Sequence, residues 1–300
     1  MEQTILFSDI IQMLFVGSMS GAVVSLIALG YSLVYGVGGV MNIAHGAYFM
    51  LTAYLFLWML GWGPLFSNML WLTVILGLTF IILIGALTYI VLVKPLQDSA
   101  INVVLITFAL AFFIELLIVW ISGSEGKSIS LLKMMEGYAT IFGIKMQYQS
   151  ILVIFISLAI VSIFALFINK SKLGKSIRAV SQDKEAASLM GINSNRIFLY
   201  TFVIAAFLAG IAAFLAVPGG NIEGPGMGWR YLTSSIAVVV LGGMGSLVGS
   251  VVGAYILGYV NSFTLIFIPN GEAWSNIVPL VFIIVMLLIR PQGLFGKKEI

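Results

Sequence analysis

From Ile10 to Val93 the chain carries no Asp, Glu, Lys or Arg, and further apolar runs follow to the end of the sequence. A helical crossing takes about 20 residues. On that measure the uncharged runs predict helices near Ile10–Tyr35, Ala47–Leu60, Asn68–Val93, Ile101–Ile121, Ser150–Ile168, Ile197–Val217, Tyr231–Asn261 and Trp274–Ile289. The runs are continuous and do not alternate with period two, which favours helices over barrel strands. The pattern predicts an all-α polytopic membrane protein with about eight transmembrane helices, forming one domain over residues 1–300. Two glycine-rich stretches predict broken or re-entrant segments: Gly36-Val-Gly-Gly39 leading into Met41-Asn-Ile-Ala-His-Gly46, and Gly242-Gly-Met-Gly245. A helix is not expected to run through the first, and the second divides Tyr231–Asn261 into an entering and a returning half. The opening nine residues are acidic and lead into a run too long for a signal peptide, so they are expected to stay in the mature chain.

Composition agrees with this reading. The chain is 61% hydrophobic and 8% charged, against about 25% charged in soluble domains. It has no cysteine, which removes disulfides and thiolate chemistry, while 32 glycines and 14 methionines suit close helix packing. A net charge of +3 gives no nucleic-acid footprint, because in a membrane protein the position of each charge matters more than the sum. Lys170, Lys172, Lys175, Arg178, Lys184 and Arg196 crowd one segment, which the positive-inside rule places in the cytoplasm. Lys94, Arg290, Lys297 and Lys298 then fall on the same side, leaving the N-terminus outside and the C-terminus cytoplasmic. Against this, Lys127, Lys133 and Lys145 land outside, where Glu125 and Glu136 weigh little.

The basic segment, residues 170–196, predicts a short helix of its own. Ser181 can serve as N-cap, Asp183 and Glu185 suit the first turn, Ala186, Ala187, Leu189 and Met190 continue it, and Gly191 is a natural stop. Asn193 or Ser194 can cap the next helix. Such a helix fits either docking into a groove of another protein or resting as an amphipathic connector on lipid headgroups.

Candidate chemistry is sparse. Gly38, Gly39, Asn42, His45, Gly242 and Gly243 mark the two breaks, which either shape a transport route or allow tight packing with Asn42 and His45 satisfying freed backbone groups. A single histidine without Cys or nearby carboxylates makes no metal site. Glu115 lies inside an apolar span, where a charged carboxylate costs about 2.5–3.5 kcal/mol. It either faces the route or an ammonium group, or sits as a hydrogen-bonded carboxyl between helices near the outer interface. Pro218–Arg230 reads as a glycine-rich lip, with Trp229 and Arg230 as interface anchors. No Gly-x-x-x-x-Gly-Lys-Ser/Thr occurs, so the chain cradles no ATP itself, and no nucleophile-plus-base pattern supports an integral-membrane enzyme.

Four stretches carry a resemblance. Glu185-Ala-Ala-x-x-x-Gly191 is similar to the EAA motif of ABC-importer permeases. Gly30-Tyr-Ser-Leu-Val-Tyr-Gly-Val-Gly-Gly-Val-Met-Asn-Ile-Ala-His-Gly-Ala-Tyr48, Val240-Leu-Gly-Gly-Met-Gly-Ser-Leu-Val-Gly-Ser-Val-Val-Gly-Ala-Tyr255 and Arg290-Pro-Gln-Gly-Leu-Phe-Gly296 resemble the branched-chain (hydrophobic) amino acid branch of that family. The resemblance implies an inner-membrane permease subunit of an ATP-driven importer for branched-chain or other hydrophobic amino acids. Asp183, Glu185, Ala186, Ala187 and Gly191 would form its coupling helix. It also implies two cytoplasmic ATPase subunits carrying ATP and Mg, a second related permease and an extracytoplasmic substrate-binding protein. Other readings are a permease for urea or a small amide, and an ATP-independent channel or secondary transporter.

Overall fold

A computed structural model describes residues 7–63, 66, 69–128, 137–141, 144–217, 221–275 and 277–296. Expectations placed on Met1–Leu6, Lys133, Glu136, Pro218–Gly220, Lys297 and Lys298 fall outside the described residues. The helices are α1 (Phe7–Gly38), α2 (His45–Gly61), α3 (Leu70–Leu87), α4 (Ala100–Ser122), α5 (Tyr148–Lys170), α6 (Lys172–Gln182), α7 (Lys184–Leu189), α8 (Ser194–Ala216), α9 (Met227–Gly242), α10 (Leu247–Phe267), α11 (Gly271–Trp274) and α12 (Ile277–Ile289). Helix α3 runs on through a π turn, Thr88–Val93, and a 3-10 turn, Lys94–Leu96. Among the described residues six helices are long and apolar enough to cross a membrane: α1, α3 with its extension, α4, α5, α8 and α10.

The remaining apolar helices are shorter. Helix α2 has 17 residues, α9 has 16 and α12 has 13. The all-α reading is modified by four short strands, β1 (Lys127–Ser128), β2 (Tyr138–Ile141), β3 (Ile144–Gln147) and β4 (Asn221–Ile222). Strand β1 pairs antiparallel with β4, and β2 with β3.

Helices α1 and α10 form an antiparallel seam built from small residues. Ser262 Oγ donates to the Met13 carbonyl at 2.8 Å, and the Ser18 and Tyr259 hydroxyls meet at 3.0 Å. A Cβ added at Gly258 would lie 2.5 Å from the Gly17 carbonyl oxygen, so the two backbones touch directly. In lipid the hydrophobic effect does not drive helices together, and this close approach is the source of attraction. On its other side α1 packs against α8, whose Ala205, Ala206, Ala209, Ala212 and Ala213 are fully buried. Helix α3 packs on α8 in turn, with Tyr89 of the π turn enclosed between Phe198 and Phe202.

Lys94, the Lys170–Arg196 segment and Arg290 gather at one end of the bundle, hereafter the basic end. Gln97 Nε2 donates to Asn195 Oδ1 there at 3.1 Å, and Arg178 and Ser181 line one cleft with Gly245 and Ser246. The four strands lie at the opposite end.

The first glycine stretch differs from its sequence reading. Helix α1 runs straight through Gly36 and Gly38 and ends only at Gly39, which has φ +64°. An interior glycine costs only about 1 kcal/mol, and here its bareness is used, because the Phe198 ring occupies the place of a Gly38 side chain.

Two substitutions separate packing from glycine content. Gly258→Val is expected to force α1 and α10 apart, cost about 1–3 kcal/mol and lower the unfolding temperature in detergent. Gly61→Ala, which meets open space, is expected to leave that temperature unchanged.

Candidate functional site

The basic end carries three features: the α6–α7 loop, the second helix break, and the tail after α12; the first break starts there and leaves it. The loop holds two helices where the sequence suggested one. Ser171 Oγ accepts from the Gly174 N–H at 2.8 Å and starts α6. The N-cap of α7 is Asp183 and not Ser181: its Oδ1 accepts from the N–H groups of Glu185 and Ala186, both at 2.9 Å. Ser181 instead lies in the last turn of α6 and donates to the Arg178 carbonyl. Asp183 takes the cap because α6 runs on through Ser181 to Gln182, leaving Asp183 as the first non-helical residue, where its charge also complements the helix dipole.

The far end of α7 closes with Gly191 N–H on Ser188 O and Ile192 N–H on Ala187 O, both 3.0 Å. This is a Schellman motif, and Gly191 takes its left-handed residue at φ +82°. Ala187 is buried while Glu185 and Ala186 are exposed. The Ser188 and Ser194 hydroxyls meet at 3.1 Å, holding α7 against the start of α8, where Asn193 Oδ1 caps the Arg196 N–H. Leu189 and Met190 stand 89% and 83% exposed, a pair of large apolar side chains projecting from a rigidly capped turn.

The first break, Gly39–Ala44, does not stay at the basic end. It climbs back along α1, so that His45 Nε2–H donates to the Ile27 carbonyl at 2.9 Å, level with Ala205 of α8. Ala205 is eleven residues beyond Ser194, so α2 starts about 16 Å above the basic end. Two N–H groups of the climbing backbone are taken up by side chains. The Ile43 N–H donates to Thr107 Oγ1 of α4 at 3.2 Å, and the Ala44 N–H donates to Asn42 Oδ1 at 3.1 Å. His45 Nδ1 is buried without a hydrogen-bond partner. Gly46 meets Gly228 across α2 and α9, so both short helices begin inside the bundle.

The second break stays at the basic end. Gly243 has φ +101°, and Ser246 Oγ caps α10 through the Gly249 N–H. The last carbonyls of α9 are satisfied by the tail: Leu294 N–H donates to Leu241 O, and Phe295 N–H to Gly242 O, both at 2.9 Å. A Cβ at Gly243 would strike the Gly296 nitrogen, so the tail sits flush on the break. Sequence reading found the tail and the break separately; their pairing spans too many residues for any local signal.

Toward the opposite end, Glu115 accepts a hydrogen bond from the Trp229 indole, and Arg230 pairs with Glu223. Trp229 and Arg230, read as interface anchors, are thus both bonded to carboxylates. Beside Arg230 a cleft of about 440 Å³ opens between α1, α9, α10 and α12. Its mouth carries Arg230, Thr233, Asn261 and Ser275, and its depth Ala237, Leu257 and Ile283. Sequence reasoning missed this cleft, because its lining comes from four helices and forms no motif.

The family description "Branched-chain amino acid transport system / permease component" matches residues 13–287, which takes in both breaks, the loop and the cleft. The chain belongs to this family. It is therefore a transport permease component and not an enzyme. It is 31% identical to the high-affinity branched-chain amino acid transport system permease protein BraD of Pseudomonas aeruginosa over 97% of each chain. It is 27% identical to LivH of Escherichia coli, with the same description, over 98% of each. A shorter match, 31% identity over 41% of this chain and 40% of the relative, links the permease to the ribose import permease protein RbsC of Escherichia coli. In fold it is similar to a chain of the solved structure "PsaBC from Streptococcus pneumoniae in complex with Fab", at 13% identity and a TM-score of 0.50 over 92% of this chain and 91% of that one.

The α7 cap gives a direct test of the loop. Asp183→Ala is expected to cost about 1 kcal/mol locally and to speed amide hydrogen exchange in residues 184–190, while Asp183→Asn keeps most of the protection.

Proposed function

We propose that the chain is the transmembrane permease subunit of an ATP-driven importer for branched-chain or other hydrophobic amino acids, working in the cell inner membrane. The observation that carries the mechanism is α7: a helix capped at both ends, bonded to α8, with Leu189 and Met190 bare to solvent. A rigid knob of this kind suits a hydrophobic groove on a partner and passes a push on it to α8 and the bundle behind. In this reading Asp183, Glu185, Ala186, Ala187 and Gly191 make the coupling helix, the partners are two cytoplasmic ATPases that hold ATP and Mg, and a second related permease and an extracytoplasmic binding protein complete the assembly. The sequence has no phosphate-cradling loop of its own.

The same reading orients the molecule. The basic end faces the cytoplasm, the N-terminus lies outside and the C-terminus inside. The six long helices are joined by α2, α9 and α12, giving nine passes, the odd number that termini on opposite sides require, in place of the eight uncharged runs. The cleft beside Arg230 then faces outward, where a delivered substrate would arrive. Its mouth offers the Arg230 guanidinium to the carboxylate of an amino acid, with the Glu223 carboxylate held next to the cleft by Arg230, and its depth offers apolar walls to an aliphatic side chain. Asn42, His45, Gly38, Gly39, Gly242 and Gly243 act in this account by shaping the short helices around the route, and Glu115 by fixing Trp229.

Replacing Leu189 and Met190 by Asp is expected to cut ATP-driven leucine uptake in membrane vesicles at least about tenfold, equivalent to about 1.4 kcal/mol, with the chain still inserted at normal levels. Uptake equal to the parent would remove the coupling role. Arg230→Ala is expected to lower uptake while ATPase subunits still co-purify, and unchanged uptake would remove the cleft from the route.

A further inference from the structure

A second cleft, of about 430 Å³, lies on another side of the molecule, among α1, α5, α6 and α10. Its walls are apolar: Leu33, Val37, Val161, Phe164, Ile168 and Val251. From Asn169 at its mouth to Val161 the cleft follows α5 for eight residues, about 12 Å. The rim is open. Val248 is 63% exposed and Ala165 is exposed, and both belong to helices long and apolar enough to cross a membrane, so the opening faces sideways out of the bundle.

The mouth is bounded by α6, an amphipathic helix lying against the bundle. Gly174, Ile177 and Val180 are its buried side. Lys172, Lys175 and Arg178 recur every three residues and share the other face. Among the described residues none of the three pairs with a carboxylate, in contrast to Arg230, which pairs with Glu223. Arg178 lines the cleft and donates twice to Asn169, to Oδ1 at 3.0 Å and to the carbonyl at 3.3 Å. A guanidinium has five N–H donors, so three remain.

An apolar slot open to the hydrocarbon, with unpaired cations at headgroup level, has the complementarity of one molecule: a phospholipid with a negative headgroup. We propose that this cleft binds an anionic phospholipid, with an acyl chain between α5 and α10 and the phosphate on Arg178 backed by Lys175 and Lys172. Because Ser181 lies at the same mouth and Asp183 caps α7 two residues on, the bound lipid would brace the loop from the membrane side. The proposal does not rest on the transport reading.

The test uses the full chain purified in neutral detergent, with dioleoyl phosphatidylglycerol and dioleoyl phosphatidylcholine titrated in and retained lipid counted by native mass spectrometry. The parent is expected to keep one phosphatidylglycerol in preference to phosphatidylcholine. Each cation near the surface contributes about fivefold, so the combined Lys172→Gln, Lys175→Gln and Arg178→Gln variant should lose at least about tenfold in that preference. Lys172→Arg with Lys175→Arg should keep it. Ala165→Trp, which fills the slot and leaves every charge in place, should lower retention of phosphatidylglycerol as well. Equal retention in the charge-stripped chain, or in Ala165→Trp, overturns the proposal. So does displacement of the lipid by millimolar leucine, which would assign the cleft to the transport route, and so does loss of a co-purifying ATPase with lipid retention unchanged, which would assign the cations to a protein partner.

Discussion

In hydrocarbon no water is available to an unpaired peptide group, and each one costs several kcal/mol. The place where this chain leaves the helical ladder inside its bundle, Gly39–Ala44, is therefore the one on which most else depends, and the break at the basic end completes it. At Gly39–Ala44 the freed N–H groups are taken up by Thr107 and by Asn42, and His45 ties the start of α2 to the Ile27 carbonyl. At Gly243–Ser246 the loose carbonyls of α9 receive the tail, Leu294 N–H closing on Leu241 and Phe295 N–H on Gly242. With those bonds in place, α2 and α9 can be short, begin deep, and leave room for a cleft at the opposite end.

The spans were legible in the sequence because lipid imposes a long, simple signal. Uncharged length marked α1, α3, α4, α5, α8 and α10 as apolar runs. The breaks were legible as glycine clusters, but their course was not. Nothing local says that residues 39–44 turn back up α1, since that depends on Ile27 and Thr107, and nothing local says that Gly38 stays helical to admit Phe198. The α6–α7 loop shows the same division. Its C-terminal stop at Gly191 follows from local conformation, whereas the choice of Asp183 over Ser181 as cap depends on α6 ending where it packs on α1 and α5. Glu115 was legible as a carboxyl hydrogen-bonded between helices, one of its two readings, but its partner Trp229 was not, because the two meet only in the folded bundle; the π turn at Thr88–Val93 left no readable trace.

The two clefts divide the molecule by chemistry. One carries a paired cation over apolar depth at the end opposite the loop, and the other carries unpaired cations over an apolar slot at the basic end. Between them runs the α1–α10 seam, whose backbones touch at Gly17 and Gly258. A seam this tight moves as one body. Motion that opens one face and closes the other is thereby left to the elements more lightly bound to it, α4 and α7.

The docking of the tail on α9 also has a meaning in time. Helix α9 is complete as a chain once Gly242 has been made, yet its last carbonyls find their partners about fifty residues later, which is several seconds of synthesis. Until Leu294 and Phe295 arrive, that helix end must turn to water or to a neighbour, and the bundle is unfinished at its basic end. A chain cut short before the tail would carry every span and still present unpaired carbonyls at the membrane, a distinction that quality-control proteases are well placed to read.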